Sequence, residues 1–191
     1  YVYTNAINPK LKLLLRNFSL SDDIAFRFSD TSWQGWPLDC RKYASSLRES
    51  VSDGNVVNLF MDYETFGEHQ QAGSGIFEFM KNLPEAVFSE TDMEFSTPSR
   101  VAAKYSPVAA LNVPFPISWA DEERDTTAWL GNELQNEAFS KLYSLSDKVT
   151  AADDPELSAD FLKLQESDHF YYMCTKFFSD GAVHSYFNPY D

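Results

Sequence analysis

Two carboxylates, Asp62 and Glu64, stand two residues apart directly after an apolar run, Asn55 to Met61 (NVVNLFM). Of all the side chains here, this pair is the best placed for acid/base chemistry. The run has strand length, and its near-continuous hydrophobicity fits a parallel strand covered on both faces. If the strand continues through the pair, both side chains point to one face. In parallel α/β folds, reactive groups gather at the C-terminal ends of strands, where loops open into a cleft. There each charge raises the pKa of the other, and partial burial raises it further. One carboxyl can then stay protonated near neutral pH and serve as a general acid. Gly67, beside Phe66, permits a sharp turn away from the strand. The same spacing also fits a helix N-cap or a solvated acidic loop, and spacing alone does not separate these readings.

The elements around the pair alternate between strand-like and helical stretches. Leu11 to Arg16 reads as a strand. Ile24, Phe26 and Phe28 alternate with Ala25 and Arg27, which predicts another strand, with Ser19 to Asp23 as a turn. Asp23 and Arg27 would share a face of that strand and form an ion pair. Pro37 opens a predicted helix reaching Val51, and Asp53-Gly54 signals a turn. Gly73 to Phe88 reads as a helix disturbed by Pro84. Glu94 to Ser96 reads as a short strand, and Ser96-Thr97-Pro98 starts a further helix. The alternation predicts an α/β layer with a parallel sheet. Beyond Trp119 the pattern is helical. Leu130, Leu134, Ala138, Leu142, Leu145 and Val149 predict one long amphipathic helix from Thr127 to Val149. A linker, Thr150 to Pro155, precedes a second helical pattern through Leu157, Phe161 and Leu164 towards Phe177. A boundary is expected near residue 118.

Composition narrows the function classes. The chain has 191 residues, 43% hydrophobic and 16% aromatic, enough for a packed core. Its net charge of −14 repels nucleic acid and anionic lipid, so neither is an expected partner. A neutral sugar is indifferent to that field, and aromatic rings stack on its apolar faces. No apolar run approaches the roughly 18 residues of a transmembrane helix. Cys40 and Cys174 are too few for a disulfide framework. They read as free thiols of a reducing compartment, which predicts a cytoplasmic location, with a single bridge as the alternative. The first residues, Tyr1-Val2-Tyr3, carry no secretory pattern.

The segment Met61-Asp62-Tyr63-Glu64-Thr65-Phe66-Gly67-Glu68-His69 resembles the fourth signature region of glycoside hydrolase family 57. The segment Ser118-Trp119-Ala120-Asp121-Glu122-Glu123-Arg124-Asp125, continuing through Trp129-Leu130-Gly131-Asn132, is similar to the fifth. Leu164 to Met173 (LQESDHFYYM) and Leu20 to Phe28 (LSDDIAFRF) look like segments of the family's amylase-like members. The matches lie in the family's order. The resemblance implies part of an incomplete (β/α)7 barrel over residues 1–118, followed by a C-terminal helical bundle over 119–191.

On that resemblance Asp62 is the catalytic acid/base. The family's first three regions, with its catalytic Glu, have no match here. The chain is therefore expected to be the rear of a longer retaining enzyme acting on α-1,4-glucans, an α-amylase or 4-α-glucanotransferase, with the fragment alone inactive. A non-catalytic carbohydrate-binding relative is the alternative. Glu64 and Asp62 sit on one strand and cannot easily flank a sugar from opposite sides, so Glu64 is not the nucleophile. It is expected to hold Asp62 or a sugar hydroxyl. Further substrate-binding candidates are His69, Trp119, Asp125, Trp129, Ser167 and Asp168. Trp119 and Trp129 would stack on glucose rings or pack in a core. Asp125 would reach the site or cap the following helix. Ser167 and Asp168 interrupt an apolar helical stretch and read as facing the site. His69, His169 and His184 have no metal-ligand spacing, and neither metal nor cofactor is implied. The expected partners are an α-glucan or maltooligosaccharide and the N-terminal remainder of the enzyme.

Overall fold

A computed structural model describes residues 1–51, 54–120 and 123–176. Asp53, Asp121, Glu122, Phe177 and His184, all named above, lie outside the described residues. The chain divides into two compact units, Tyr1–Asn112 and Val113–Asp191.

In the first unit, three short strands form one sheet. β1 (Tyr3–Asn5) lies between β2 (Lys12–Leu13), antiparallel to it, and β3 (Ala110–Leu111), parallel to it. The content is thus mixed α/β, with a small sheet and many helices. The stretch predicted as a strand around Ile24 is part of α1 (Phe18–Ala25). The Asn17 side chain caps it by accepting from the Leu20 N–H. Leu20, Ile24 and Phe28 are buried at intervals of four, a helical period that the exposed Phe26 had masked as alternation. The Asp23–Arg27 ion pair does form, at 2.7 Å, from i,i+4 geometry rather than across a strand face.

α2 (Cys40–Val51) begins later than Pro37, because the Asp39 carboxylate accepts from the Lys42 N–H. α3 (Ile76–Glu90) runs through Pro84. Pro84 takes the helical donor from the carbonyl of Met80, a residue on the exposed side of the helix. α4 (Pro98–Lys104) starts as read, with the Thr97 hydroxyl accepting from Arg100 N–H and Pro98 at the first position. Residues 94–96 pair with no strand among the described residues. Leu20, Ile24 and Phe28 pack with Tyr43, Leu47, Ile76, Phe79, Leu83 and Val87 in one core. Phe79 meets Phe28 and Tyr43 edge-on, at 5.1 and 5.7 Å between ring centroids. The Tyr43 hydroxyl donates to Leu20 O at 3.0 Å.

The apolar run before Asp62 is extended but joins no ladder. Val57, Leu59 and Met61 pack on the core, while Phe60 is exposed. Its even-numbered residues are tied down on one edge. Asn58 O accepts from Asn17 N–H at 2.8 Å, Phe60 O accepts from Arg16 Nε, and Phe60 N–H donates to the Ser21 hydroxyl. The N–H and C=O groups of Val57, Leu59 and Met61 have no hydrogen-bond partner among the described residues. A groove of about 760 Å³ runs beside this segment, walled by Leu14, Val57, Leu59, Met93, Val101 and Tyr105 among others.

In the second unit, the single helix predicted from Thr127 to Val149 is three: α5 (Thr127–Leu130), α6 (Glu133–Tyr143) and α7 (Ser146–Ala152). Asn132 and Gln135 form a capping box that starts α6 afresh. Asp153 takes a left-handed conformation (φ 49°), and Asp154 caps α8 (Pro155–Leu164) with Pro155 at its first turn. A short helix, α9 (Ser167–Tyr171), follows a break at Gln165 and Glu166. Among the described residues, no helix is long and apolar enough to cross a membrane. Both cysteines are free thiols.

Candidate functional site

The strand-like run stops at Asp62, because Tyr63–Thr65 coils into a single 3-10 turn with Asp62 at its N-cap (φ −67°, ψ 148°). Asp62 and Glu64 therefore do not continue a strand on a shared face, as the sequence suggested. Both carboxylates are exposed, and no hydrogen bond joins them. His69 lies on the same loop, also exposed, with its N–H donating to Glu64 O at 3.1 Å. One loop thus carries Asp62, Glu64 and His69 at the surface of the first unit. They are not among the residues walling the groove.

Beneath them the loop is built by its backbone and by two buried residues that sequence reasoning passed over. Thr65 N–H donates to Asp62 O at 3.2 Å, and Gln70 N–H donates to Thr65 O at 2.9 Å. Gly67 N–H donates to Gln70 O at 3.0 Å, with Gly67 at φ 120°, a conformation that a Cβ would strain. Phe66 packs against the core. Thr65 is 1% exposed and Gln70 3%. The Gln70 Nε2 donates to Ala25 O, at the end of α1, at 3.0 Å. Its Oε1 has no partner among the described residues, and an unpaired buried acceptor costs about 1–3 kcal/mol. No periodicity or spacing singles out a glutamine at this position.

The remaining candidates lie in the second unit. Trp119 is 56% exposed and meets Trp129 edge-on at 5.9 Å, and Trp129 in turn lies 5.6 Å from Tyr171. Trp129 also packs against Ala120 and Ala128. Such ring pairs contribute about 0.5–1.5 kcal/mol beyond their burial. The Asp125 carboxylate accepts from the N–H and hydroxyl of Thr127, at 2.8 and 2.6 Å, and so braces the start of α5. Ser167 and Asp168 are not a buried polar pair: both are exposed, because the apolar helix expected to enclose them breaks first and α9 begins with them. Behind this cluster sits Gln135, fully buried. Its Nε2 donates to Ala128 O and Phe170 O, and its Oε1 accepts from the N–H groups of Gly131 and Asn132. The Asn-x-x-Gln spacing of a capping box was the signal that could have revealed it. Among the described residues, no three His, Cys, Asp or Glu side chains converge as metal ligands.

Residues 1–114 match the model of a family described as Glycosyl hydrolase family 57. A relative from Methanocaldococcus jannaschii named "Putative alpha-amylase" is 41% identical over 191 residues. The match covers 95% of this chain and 40% of that protein, so the chain spans about two-fifths of its relative's length. No solved structure matches.

Proposed function

Because this chain belongs to glycosyl hydrolase family 57, we propose that it is part of a retaining enzyme acting on α-1,4-glucans, with Asp62 as acid/base. The observation that carries the reading is the placement of Asp62. It stands exposed at the end of a strand-like segment, on a loop whose backbone is anchored in the core through Thr65 and Gln70. A carboxyl there is open to a substrate while its main chain is held.

In this mechanism Asp62 protonates the departing glycosidic oxygen, then takes the proton from the incoming water or sugar hydroxyl. The nucleophile is a second carboxylate from the part of the enzyme outside this chain, placed about 5–5.5 Å from the acid across the scissile bond. Glu64 and His69, on the same loop, are the proposed hydrogen-bond partners of sugar hydroxyls. The name of the relative supports an amylase-like substrate; hydrolysis and glucan transfer use the same first step.

Residues 1–118 are proposed to form the rear of the incomplete (β/α)7 barrel, and 119–191 the helical bundle. Support comes from the run Asn55–Met61. One of its faces is packed by helices, and the amides of Val57, Leu59 and Met61 form the kind of edge that a parallel neighbour satisfies. The N-terminal remainder of the enzyme is the proposed complement of this layer.

The test is amylose hydrolysis by the full-length protein and by Asp62→Asn. Loss of an acid/base group lowers the rate by about 10²–10⁴-fold. Equal, non-zero rates for the two proteins would overturn the assignment. The second reading, a carbohydrate-binding relative without turnover, rests on the Trp119–Trp129–Tyr171 cluster, whose exposed Trp119 face suits a sugar ring. Amylose binding without turnover by the unaltered full-length protein is the result that reading predicts.

A further inference from the structure

We propose that Gln70 is a positioning residue for the proton transfer assigned above to Asp62, an inference that rests on that reading. Three hydrogen bonds run in series from the helical layer to Asp62. The Gln70 Nε2 donates to Ala25 O, where α1 ends and its last carbonyls lack helical donors. Gln70 N–H donates to Thr65 O, and Thr65 N–H donates to Asp62 O. The first link joins residues 45 apart in sequence. It is the only one of the three that depends on a side chain.

The Asp62 side chain makes no capping bond to its own turn. Its location is therefore set by its main chain, which the packed segment up to Met61 holds on one side and this relay ties to α1 on the other. Burial makes the relay stiff: Thr65 and Gln70 are almost completely enclosed, so water does not compete for their bonds. The choice of glutamine is also informative. Its Oε1 is buried without a partner among the described residues, so an apolar side chain of equal size would remove an unfavourable group. What such a side chain cannot supply is the N–H that reaches Ala25 O. A displacement of the loop on the order of 1 Å moves the acid out of line with the departing oxygen, which costs about a hundredfold in rate.

The test compares two substrates in the full-length protein, reading kcat/KM, which reports events up to departure of the leaving group. In a maltooligosaccharide the breaking C–O bond leaves an alkoxide that must take a proton from Asp62. In α-maltosyl fluoride the C–F bond breaks and fluoride departs with the electron pair, needing little proton donation. The enzyme's nucleophilic carboxylate forms the same new bond in both. Gln70→Met is expected to lower kcat/KM at least about tenfold on the maltooligosaccharide and less than about threefold on the fluoride. Equal losses on both substrates, or no loss on either, overturn the proposal.

Should Gln70→Met fail to fold, Gln70→Leu carries the same comparison. It is of similar volume and likewise has no donor for Ala25 O. Asp62→Asn on the same two substrates separates the two inferences. If it loses both activities equally, the acid role of Asp62 fails. If it spares the fluoride while neither Gln70 variant discriminates, only the role of Gln70 fails.

Discussion

Single residues in this molecule are decided by what burial does to one polar atom. Tyr43 illustrates this. Its ring fills the first core, and its hydroxyl is spent on Leu20 O. Burial pushes its pKa well above the usual 10.0, and the negative charge of Asp23 pushes it the same way. The folded state thus holds this proton more tightly than the unfolded chain. The associated stability is complete below about pH 10 and is lost as pH rises towards the folded value. Tyr43→Phe is expected to cost about 1 kcal/mol at neutral pH and to flatten the alkaline fall, read by urea unfolding at several pH values. The candidate site shows how far single residues were legible. Asp62, Glu64 and His69 could be singled out as candidates because a motif has a fixed spacing, and the structure puts them on one exposed loop. The buried Gln70 could not, because its side chain bonds to Ala25, which is far away in sequence. Ser167 and Asp168 were misread because burial was inferred from apolar neighbours that in fact belong to a helix already ended.

Among the elements, caps rather than hydrophobic periods decide where helices stop. The apolar positions from Leu130 to Val149 keep one helical phase, yet the backbone restarts at Asn132, whose side chain accepts from Gln135 N–H. Gln135→Leu should destabilise the second unit by at least about 3 kcal/mol, since it strands two buried carbonyls and two N–H groups together. Chemical denaturation followed by helical circular dichroism would show it. A change under 1 kcal/mol, on the order of an ordinary cap loss, would mean that water replaces the amide. The helices that were legible, α2, α3 and α4, carry their own start signals or long periodic stretches. The strands were less so. Ile24, Phe26 and Phe28 alternate by accident of one exposed Phe. The run Asn55–Met61 has strand composition, but forming a ladder needs a neighbour, and no property of the run itself supplies one.

At the scale of the whole molecule, the net charge of −14 sets what the surface tolerates. A neutral glucan neither gains nor loses from that field. Its apparent affinity for the full-length protein is expected to change less than about twofold between about 0.01 and about 1 M salt, while the Debye length falls from about 30 to about 3 Å. A steep salt dependence, measured by titration with maltooligosaccharide, would point to a charged ligand instead. The two compact units add a further property. Trp119 and Trp129 cross at 78° only 5.9 Å apart, both in the second unit, whereas Trp33 and Trp36 belong to the first. Indole transitions held that close and that oblique couple as an exciton pair, so the second unit carries an intrinsic chiral chromophore. Its circular dichroism couplet vanishes when the two rings part, giving an optical thermometer for one half of the chain without any attached dye.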